Sequence, residues 1–416
     1  MVEEQADLIR MQVQLQMVFT PGAPVGRRDL LAGRTQQIGQ VISAVSQRGQ
    51  HAAVFGERGV GKTSLAGLIH EIWSDVAKDF TSLIAPRINC DTGDDFQSIW
   101  AKIADEIVLI FDKRGVDWKS LPENGAFQTA LMELEVGSAT PALVRRALDL
   151  STHRFIVVID EFDRLEDKET VRMIADTIKM LSDHLVDATL IVVGVADTVD
   201  ELIEEHASIE RSLVQVLVPR MTAAELKEIV QNGLTPVGMT IDAAALAQIA
   251  RLSQGLPNYS HLLGLTSALE AVKNGRKSVQ MDDVHAGLQA ALSTIQEGIR
   301  NTYYEATRSS HKDNLYKQVL LACALTNVDE LGYFAPADVR EPMSAIMNRK
   351  YDIPSFMRHL RDFCADKRRC ILQQSKEQTR PRYRFRNPLM QPYVLLRGIN
   401  DNALPESLFP QPSGSS

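Results

Sequence analysis

The chain has 416 residues, a formal net charge of −8, and 44% hydrophobic and 24% charged residues, ordinary values for a globular chain of about two to four domains. An acidic balance argues against a protein coated in nucleic acid, though not against a local basic patch. No apolar run approaches the ~20 residues of a membrane span. The acidic start Met1–Asp7 lacks a signal-peptide core, and Cys90, Cys323, Cys364 and Cys370 form no CxxC pair, so neither zinc nor a disulfide framework is expected and a reducing cytoplasm is the simplest location.

Residues 1–18 predict a short amphipathic helix with Leu8, Met11, Val13, Leu15, Met17 and Val18 as apolar points. Pro21 and Pro24 make Phe19–Val25 extended, so 1–30 read as an N-terminal helix and arm. A helix is expected over Gln36–Gln47, then a buried strand, His51–Phe55. Gly56-Glu57-Arg58-Gly59-Val60-Gly61-Lys62-Thr63 follows, and Ser64–Trp73 reads as a helix. The octapeptide fits the phosphate-loop pattern G-x-x-x-x-G-K-[ST] at every fixed position, in the strand-to-helix context the pattern requires. Its glycines let successive N–H groups from Gly56 through Ser64 point inward, and the helix dipole adds positive potential. Lys62 is then placed for β- and γ-phosphates and the Thr63 hydroxyl for Mg²⁺.

Thr81–Asn89 predicts a strand whose Pro86 argues for an edge or an early end. Asp94–Phe111 has helical apolar spacing; Asp112–Pro141 is polar and weakly patterned, a long surface loop with a helix somewhere in it. Phe155–Ile159 is a continuous apolar run ending in Asp160-Glu161. Acids at the C-terminal end of a buried parallel strand lie where α/β sheets bind ligands. In that reading Asp160 holds the hydration shell of Mg²⁺ and Glu161 is the general base for an attacking water; an exposed turn bearing two acids is the alternative. Asp163 is expected to cap or solvate the segment after it. With a helix over Thr170–Leu185 and a strand over Ala188–Val195, residues 31–218 predict an α/β fold: a three-layer P-loop NTPase core on a parallel sheet.

From Thr222 the pattern is helical (Ala223–Asn232, Asp242–Ser253, Pro257–Asn274, Met281–Gly298), an all-α lid over 219–304. Residues 305–398 read as helices over Leu315–Leu325, from Pro336, and over Pro354–Phe363, then strands at Cys370–Gln373 and Arg382–Arg386. Three helices and a β-hairpin are the order of a winged helix. A Pro-, Ser- and Gly-rich tail, 399–416, is expected to be disordered.

Arg349–Arg397 holds thirteen Lys/Arg against four Asp/Glu, a net +9, which leaves −17 of the chain's −8 to the rest. Arg380, Arg382, Arg384 and Arg386 alternate along one strand and so share a face. Lys367, Arg368 and Arg369 precede the hairpin, and Arg358, His359 and Arg361 lie on the last helix. This is the pattern of a salt-sensitive double-stranded DNA surface with base contacts from the helix. The alternative is a protein interface, drawn by the acidic remainder of the chain or by a separate effector protein.

Phosphate loop, acidic strand, helical lid and winged helix, in that order over residues 30–398, resemble the initiator clade of AAA+ ATPases, which includes origin-recognition proteins and bacterial ATPases of transposition and defence. The resemblance implies ATP and Mg²⁺ as cofactors. It implies that Leu31-Ala32-Gly33-Arg34 leads into the adenine pocket, and that Asp197, in Gly194-Val195-Ala196-Asp197-Thr198, stands where a polar residue, usually Asn, orients water. It places an arginine finger at Arg211, in Ser208-Ile209-Glu210-Arg211-Ser212, with Arg220 the weaker candidate; a surface salt bridge is the other reading of Arg211. A finger acting on a neighbour implies a homo-oligomeric ring or filament. In Gly255-Leu256-Pro257-Asn258, Asn258 stands where the clade usually has Arg. The Gly-x-Pro form is similar to switch ATPases of signalling and immunity, in which the proline, here Pro257, packs near the nucleotide base; a helix N-cap turn is the plainer reading. Loss of the lid arginine and an acid at 197 imply slow hydrolysis, a switch rather than a motor.

Overall fold

The computed structural model describes residues 2–23, 33–76, 83–120, 125–203, 209–309, 314–375 and 380–404. Leu31, Ala32, Pro24, Val25, Ser208 and the tail from 405 therefore lie outside the described residues. The chain forms two compact units, one of Pro24–Glu57 with Gly61–Val218, the other of Met1–Ala23, Arg58–Val60 and Pro219–Ser416.

In chain order, helix α1 (Val2–Val18) belongs to the second of these. The nucleotide-type unit then runs α2 (Thr35–Ser46), β1 (His51–Gly56), α3 (Lys62–Val76), β2 (Leu83–Ile84), β3 (Arg87–Asn89), α4 (Phe96–Lys113), α5 (Ala126–Val136), α6 (Pro141–Asp149), β4 (Arg154–Asp160), α7 (Lys168–Asp183), β5 (Ala188–Val195), α8 (Val199–Leu202) and β6 (Leu213–Leu217). The sheet order is β2-β4-β5-β1-β6, with β3 also paired to β4, and every pairing is parallel. The strand expected over Thr81–Asn89 is two short strands at one edge, broken at Ala85-Pro86, because Pro86 has no N–H to give; its carbonyl accepts from Val158 N–H at 2.9 Å instead.

Phe155, Val157 and Ile159 of β4 point into the main core with Trp100, Ile103, Ile107 and Phe111 of α4, as a period-two strand facing a period-3.6 helix requires. Helix α4 starts where Asp95 caps the Ser98 N–H and Ser98 caps back. The helix expected within 112–141 is α5, but the segment is not confined to the surface: Trp118, Phe127, Leu131 and Leu134 are buried in this same core. The polar residues between them had masked the apolar ones.

The other unit continues with α9 (Ala223–Leu234), β7 (Thr240–Ile241), α10 (Ala243–Ser253), α11 (Pro257–Lys273), β8 (Ser278–Val279), α12 (Met281–Thr294), α13 (Glu297–Thr307), α14 (Tyr316–Leu325), α15 (Pro336–Ile346), α16 (Ile353–Phe363), β9 (Leu372–Gln374), β10 (Tyr383–Phe385) and α17 (Met390–Asn400). The lid is helical apart from the parallel pair β7–β8, and the segment expected as one helix from Met281 to Gly298 breaks at Ile295-Gln296. In α1 only Leu15 and Val18 are buried among the expected apolar points; Val13 and Met17 are exposed, and Phe19 is the residue that anchors the helix. Its ring fills the space a side chain at Gly233 (α9) or Gly264 (α11) would need, edge-on to His261. The last six elements are three helices, a hairpin and a closing helix, with Phe334 bridging Tyr383 of β10. The closing helix, α17, was not foreseen. Its buried Gln391 accepts from Arg220 at 2.6 Å and donates to Gln254 (3.0 Å) and to the Ala324 carbonyl (3.2 Å).

No helix among the described residues is long and apolar enough to cross a membrane. All four cysteines are free, and no cluster of three or more His, Cys, Asp or Glu among the described residues could hold a metal ion.

His51, fully buried at the start of β1, accepts the Leu190 N–H through Nδ1 at 2.9 Å, and burial lowers its pKa to about 3. The unfolded chain takes a proton there below the ordinary value of about 6.5 while the folded chain does not. Stability from this site is therefore complete above pH 6.5 and declines as pH falls toward 3, by about 1.4 kcal/mol per unit. His51→Gln should flatten the pH dependence of chemical denaturation between pH 6.5 and 4.5; equal slopes for the two chains would contradict the assignment.

Candidate functional site

Because the sheet is parallel, the C-terminal ends of β1, β4 and β5 meet at one edge, and with them Gly56, Asp160 and the turn after Val195. Gly56 (φ 142°), Gly59 (φ 86°) and Gly61 (φ 98°) carry the curl of the loop into α3. A Cβ at Gly56 would stand 2.4 Å from the Val218 carbonyl oxygen, so only glycine lets the strand leave the sheet there. Lys62, at the first position of α3, is buried and its Nζ donates to the carbonyls of Gly56 (3.0 Å) and Glu57 (2.8 Å). Its ammonium thus lies inside the loop's own curl, at the mouth of the helix dipole.

Asp160, 2% exposed, is the centre of the site. Its Oδ1 accepts from the Thr63 hydroxyl at 3.4 Å and from the Glu161 N–H at 2.8 Å, and its Oδ2 accepts from Arg87 Nη2 at 2.8 Å. The loop threonine and the strand acid, 97 residues apart, are therefore in contact. One carboxylate and one hydroxyl are the donor types that Mg²⁺ takes from a protein when phosphates and waters complete its shell, so these residues fit a Mg²⁺–nucleotide.

Glu161 sits at φ 55°, the left-handed region that costs a non-glycine residue about 1 kcal/mol or more and that clusters at functional turns. Half-exposed, it pairs with Arg164 (2.7 Å), which also reaches Asp91 (3.2 Å). Asp91 and buried Asp94 share Lys102, so an ion-pair chain links the turn to α4. Asp163 does not serve the segment after it; its Oδ1 accepts the Val195 N–H at 2.8 Å and ties the ends of β4 and β5 together. Asp197, half-buried, donates its N–H to the Glu201 carboxylate (3.0 Å) and lines a cavity of about 580 Å³ with Phe55, Ile209, Leu213 and Leu217.

The remaining candidates are more dispersed. Arg34 is buried at φ 63° before α2. Arg211 is 82% exposed and pairs at 3.2 Å with Asp183. Arg220 is committed inside its own unit, to Gln391 and to the Gln254 carbonyl (3.1 Å), which disfavours it as a finger. Pro257 occupies the first turn of α11, with Gln254 (φ 51°) and Gly255 (φ 80°) bending the chain into it, so the segment is a helix-entry turn, and Asn258 donates to the Pro21 carbonyl of the N-terminal arm.

The basic module is divided. Arg358, Arg369, Arg380 and Arg386 are exposed, and so is Lys367, which pairs with Asp362 at 2.7 Å. Tyr383 and Phe385 are buried, so Arg384 between them is on the opposite face of β10, whereas Arg380, Arg382 and Arg386 fall outside the three-residue strand. Arg382, however, is paired to Asp329 (2.7 Å), Arg384 lies over the Tyr333 ring, and Arg368 stacks on Tyr316 at 3.6 Å while donating to the Ala306 carbonyl. His359 packs edge-on against Tyr316, and burial lowers its pKa below the ordinary value. These four hold the module together rather than face outward. Tertiary partners far away in sequence claim them, a signal that charge counting does not contain. The residue that sequence reasoning missed is Arg87: a lone cation in a short edge strand has no motif.

A family model, Novel STAND NTPase 1, matches residues 25–338. The chain belongs to the Novel STAND NTPase 1 family. This NTPase shares its fold with the ORC2 protein of Aeropyrum pernix, solved as ADPNP–ADP complexes, at 12% identity over 93% of this chain and 97% of that one (TM-score 0.51). It is also similar to Cdc6p of Pyrobaculum aerophilum (17% identity, 94% and 98% covered, TM-score 0.46) and to a Walker-type ATPase of Pyrococcus abyssi (16%, 92% and 100%, 0.49). No curated protein matches this member of the family. The origin-recognition-like P-loop ATPase fold inferred from its motifs is therefore the fold it has.

Lys62→Ala removes the ammonium inside the loop's curl and leaves the apolar strand and helix packing untouched. Binding of a fluorescent ATP analogue should fall at least a hundredfold, on the order of 3 kcal/mol, with the melting temperature within a few degrees of the unsubstituted chain. Retained affinity would show that Lys62 does not meet phosphate.

Proposed function

We propose that this NTPase is an ATP-binding, slowly hydrolysing switch that assembles head to tail and touches double-stranded DNA through a C-terminal winged helix. The observation that carries the nucleotide part is the meeting of Thr63 with buried Asp160 beside a loop that curls around Lys62. ATP is supported by the shared fold of the Aeropyrum pernix protein, which holds ADPNP and ADP. When bound, Mg²⁺ neutralises charge on the β- and γ-phosphates. The chain's part is to hold those phosphates on the backbone of 56–64, with Pro257 and Arg34 as candidate contacts to the rest of the nucleotide. Glu161 takes the proton of the attacking water and Asp197 helps orient it. To do so Glu161 exchanges its solvent-exposed pair with Arg164, which costs little.

Arg211 is the proposed finger. Its pair with Asp183 is solvent-exposed and so is worth under about 1 kcal/mol, which makes it easy to surrender to a neighbouring copy. For DNA, exposed Arg358, Arg361, Lys367, Arg369, Arg380 and Arg386 form the surface. The internal commitment of Arg368, Arg382 and Arg384 favours a second reading, in which the module contacts an effector protein, because it lowers the outward charge available for phosphates. Both readings place the protein in the cytoplasm.

Glu161→Gln should bind ATP normally and lower the hydrolysis rate by ~100-fold or more; an unchanged rate would remove Glu161 as the base. Mixing Arg211→Ala with Glu161→Gln subunits should restore activity lacking in either alone if the finger acts on a neighbour, and no recovery at any ratio would refute that. Arg358→Glu combined with Arg380→Glu should weaken a duplex DNA mobility shift and reduce its salt dependence by about one unit per lost phosphate contact. An unaltered shift, or none from the unsubstituted chain, would favour the effector reading.

A further inference from the structure

We infer that Arg87 is a built-in counter-ion for Asp160, a positioning residue that holds this carboxylate when no metal is present and competes with Mg²⁺ for it. The inference rests on the nucleotide reading above. Asp160 is 2% exposed, and a carboxylate that deep needs a partner. Thr63 and the Glu161 N–H share Oδ1, which leaves Oδ2 to Arg87 alone at 2.8 Å. A second observation shows that the guanidinium has a prepared seat. Its Nη1 lies 2.7 Å from where a Cβ at Gly67 would stand, in the second turn of α3. Glycine inside a helix costs about 1 kcal/mol relative to alanine, and here the missing side chain makes the room that the guanidinium occupies. An arginine cannot shed its proton in a protein. Arg87 therefore keeps a fixed positive charge on Oδ2 of the same carboxylate whose Oδ1 lies beside Thr63, the carboxylate that would meet a divalent cation. It must loosen its hold on Oδ2 for the site to load, and it re-forms the pair when the site empties. The same residue so keeps Asp160 in position between turnovers and sets the Mg²⁺ concentration at which loading begins.

The test is a Mg²⁺ titration of N-methylanthraniloyl-ATP binding, followed by fluorescence on the full chain. Arg87→Gln should lower the half-maximal Mg²⁺ concentration by about tenfold. Gly67→Ala, which keeps the charge but pushes the guanidinium from its seat, should shift it the same way by about threefold. Arg87→Lys should stay within about twofold of the unsubstituted chain. An ion pair that only stabilises the fold would lower the melting temperature and leave the Mg²⁺ midpoint where it was. An unshifted midpoint in folded Arg87→Gln overturns the inference. If that variant does not fold, an unshifted midpoint in Gly67→Ala overturns it instead. No nucleotide binding by the unsubstituted chain at any Mg²⁺ concentration would overturn the nucleotide reading and this inference with it.

Discussion

A single buried carboxylate organises the nucleotide-type unit. Taking an ionised Asp160 out of water costs several kcal/mol unless donors replace the lost hydration, and three groups from three elements do so: Thr63 at the start of α3, Arg87 on β3, and the backbone of Glu161. Each donor requires a further local arrangement. Thr63 is in reach because Gly56 lets the loop leave β1 against Val218; Arg87 fits because α3 carries glycine at 67; the Glu161 N–H is supplied by the peptide that directly follows Asp160. Loop, edge strand and turn are thus mutually dependent through one side chain.

The acidic turn shows a division of labour between neighbours. Asp160 faces inward and is saturated, whereas Glu161 faces outward and is held by the chain Arg164–Asp91–Lys102–Asp94, in which Lys102 lies on α4. The inner acid is preorganised; the outer one is restrained by surface pairs that individually contribute little and can be exchanged. Asp163, which looks like a third acid of the site, instead closes the sheet edge by taking the Val195 N–H.

The other unit is held by different means. Phe19 wedges into the gap over Gly233 and Gly264, and Asn258 holds the Pro21 carbonyl, so the N-terminal segment is an integral part of the lid. Buried Gln391 joins Arg220, Gln254 and Ala324 in one polar network, linking the last helix of the chain to the lid turn before α11. A buried amide with every contact satisfied rigidifies and specifies its surroundings, which makes the C-terminal module and the lid turn parts of one piece.

The phosphate loop, the apolar strands and the acids at the end of β4 were legible in the sequence because their physics is local. Glycine at 56, 59 and 61 answers a backbone need within eight residues, and Phe155–Ile159 announces a buried parallel strand by itself. Most helices of the lid and of the basic module were legible through their 3.6-residue period, the closing helix α17 and the break before α13 excepted. What the sequence could not show is partnership at a distance. Arg87 meets Asp160 across 73 positions, Arg382 meets Asp329 across 53, and Arg368 meets the Ala306 carbonyl across 62. A charge is written in the sequence, but whether it faces water, a phosphate or another side chain depends on which elements pack beside it. Only the tertiary structure decides that, because burial, and with it the strength of every ionic contact, exists only after the chain has folded.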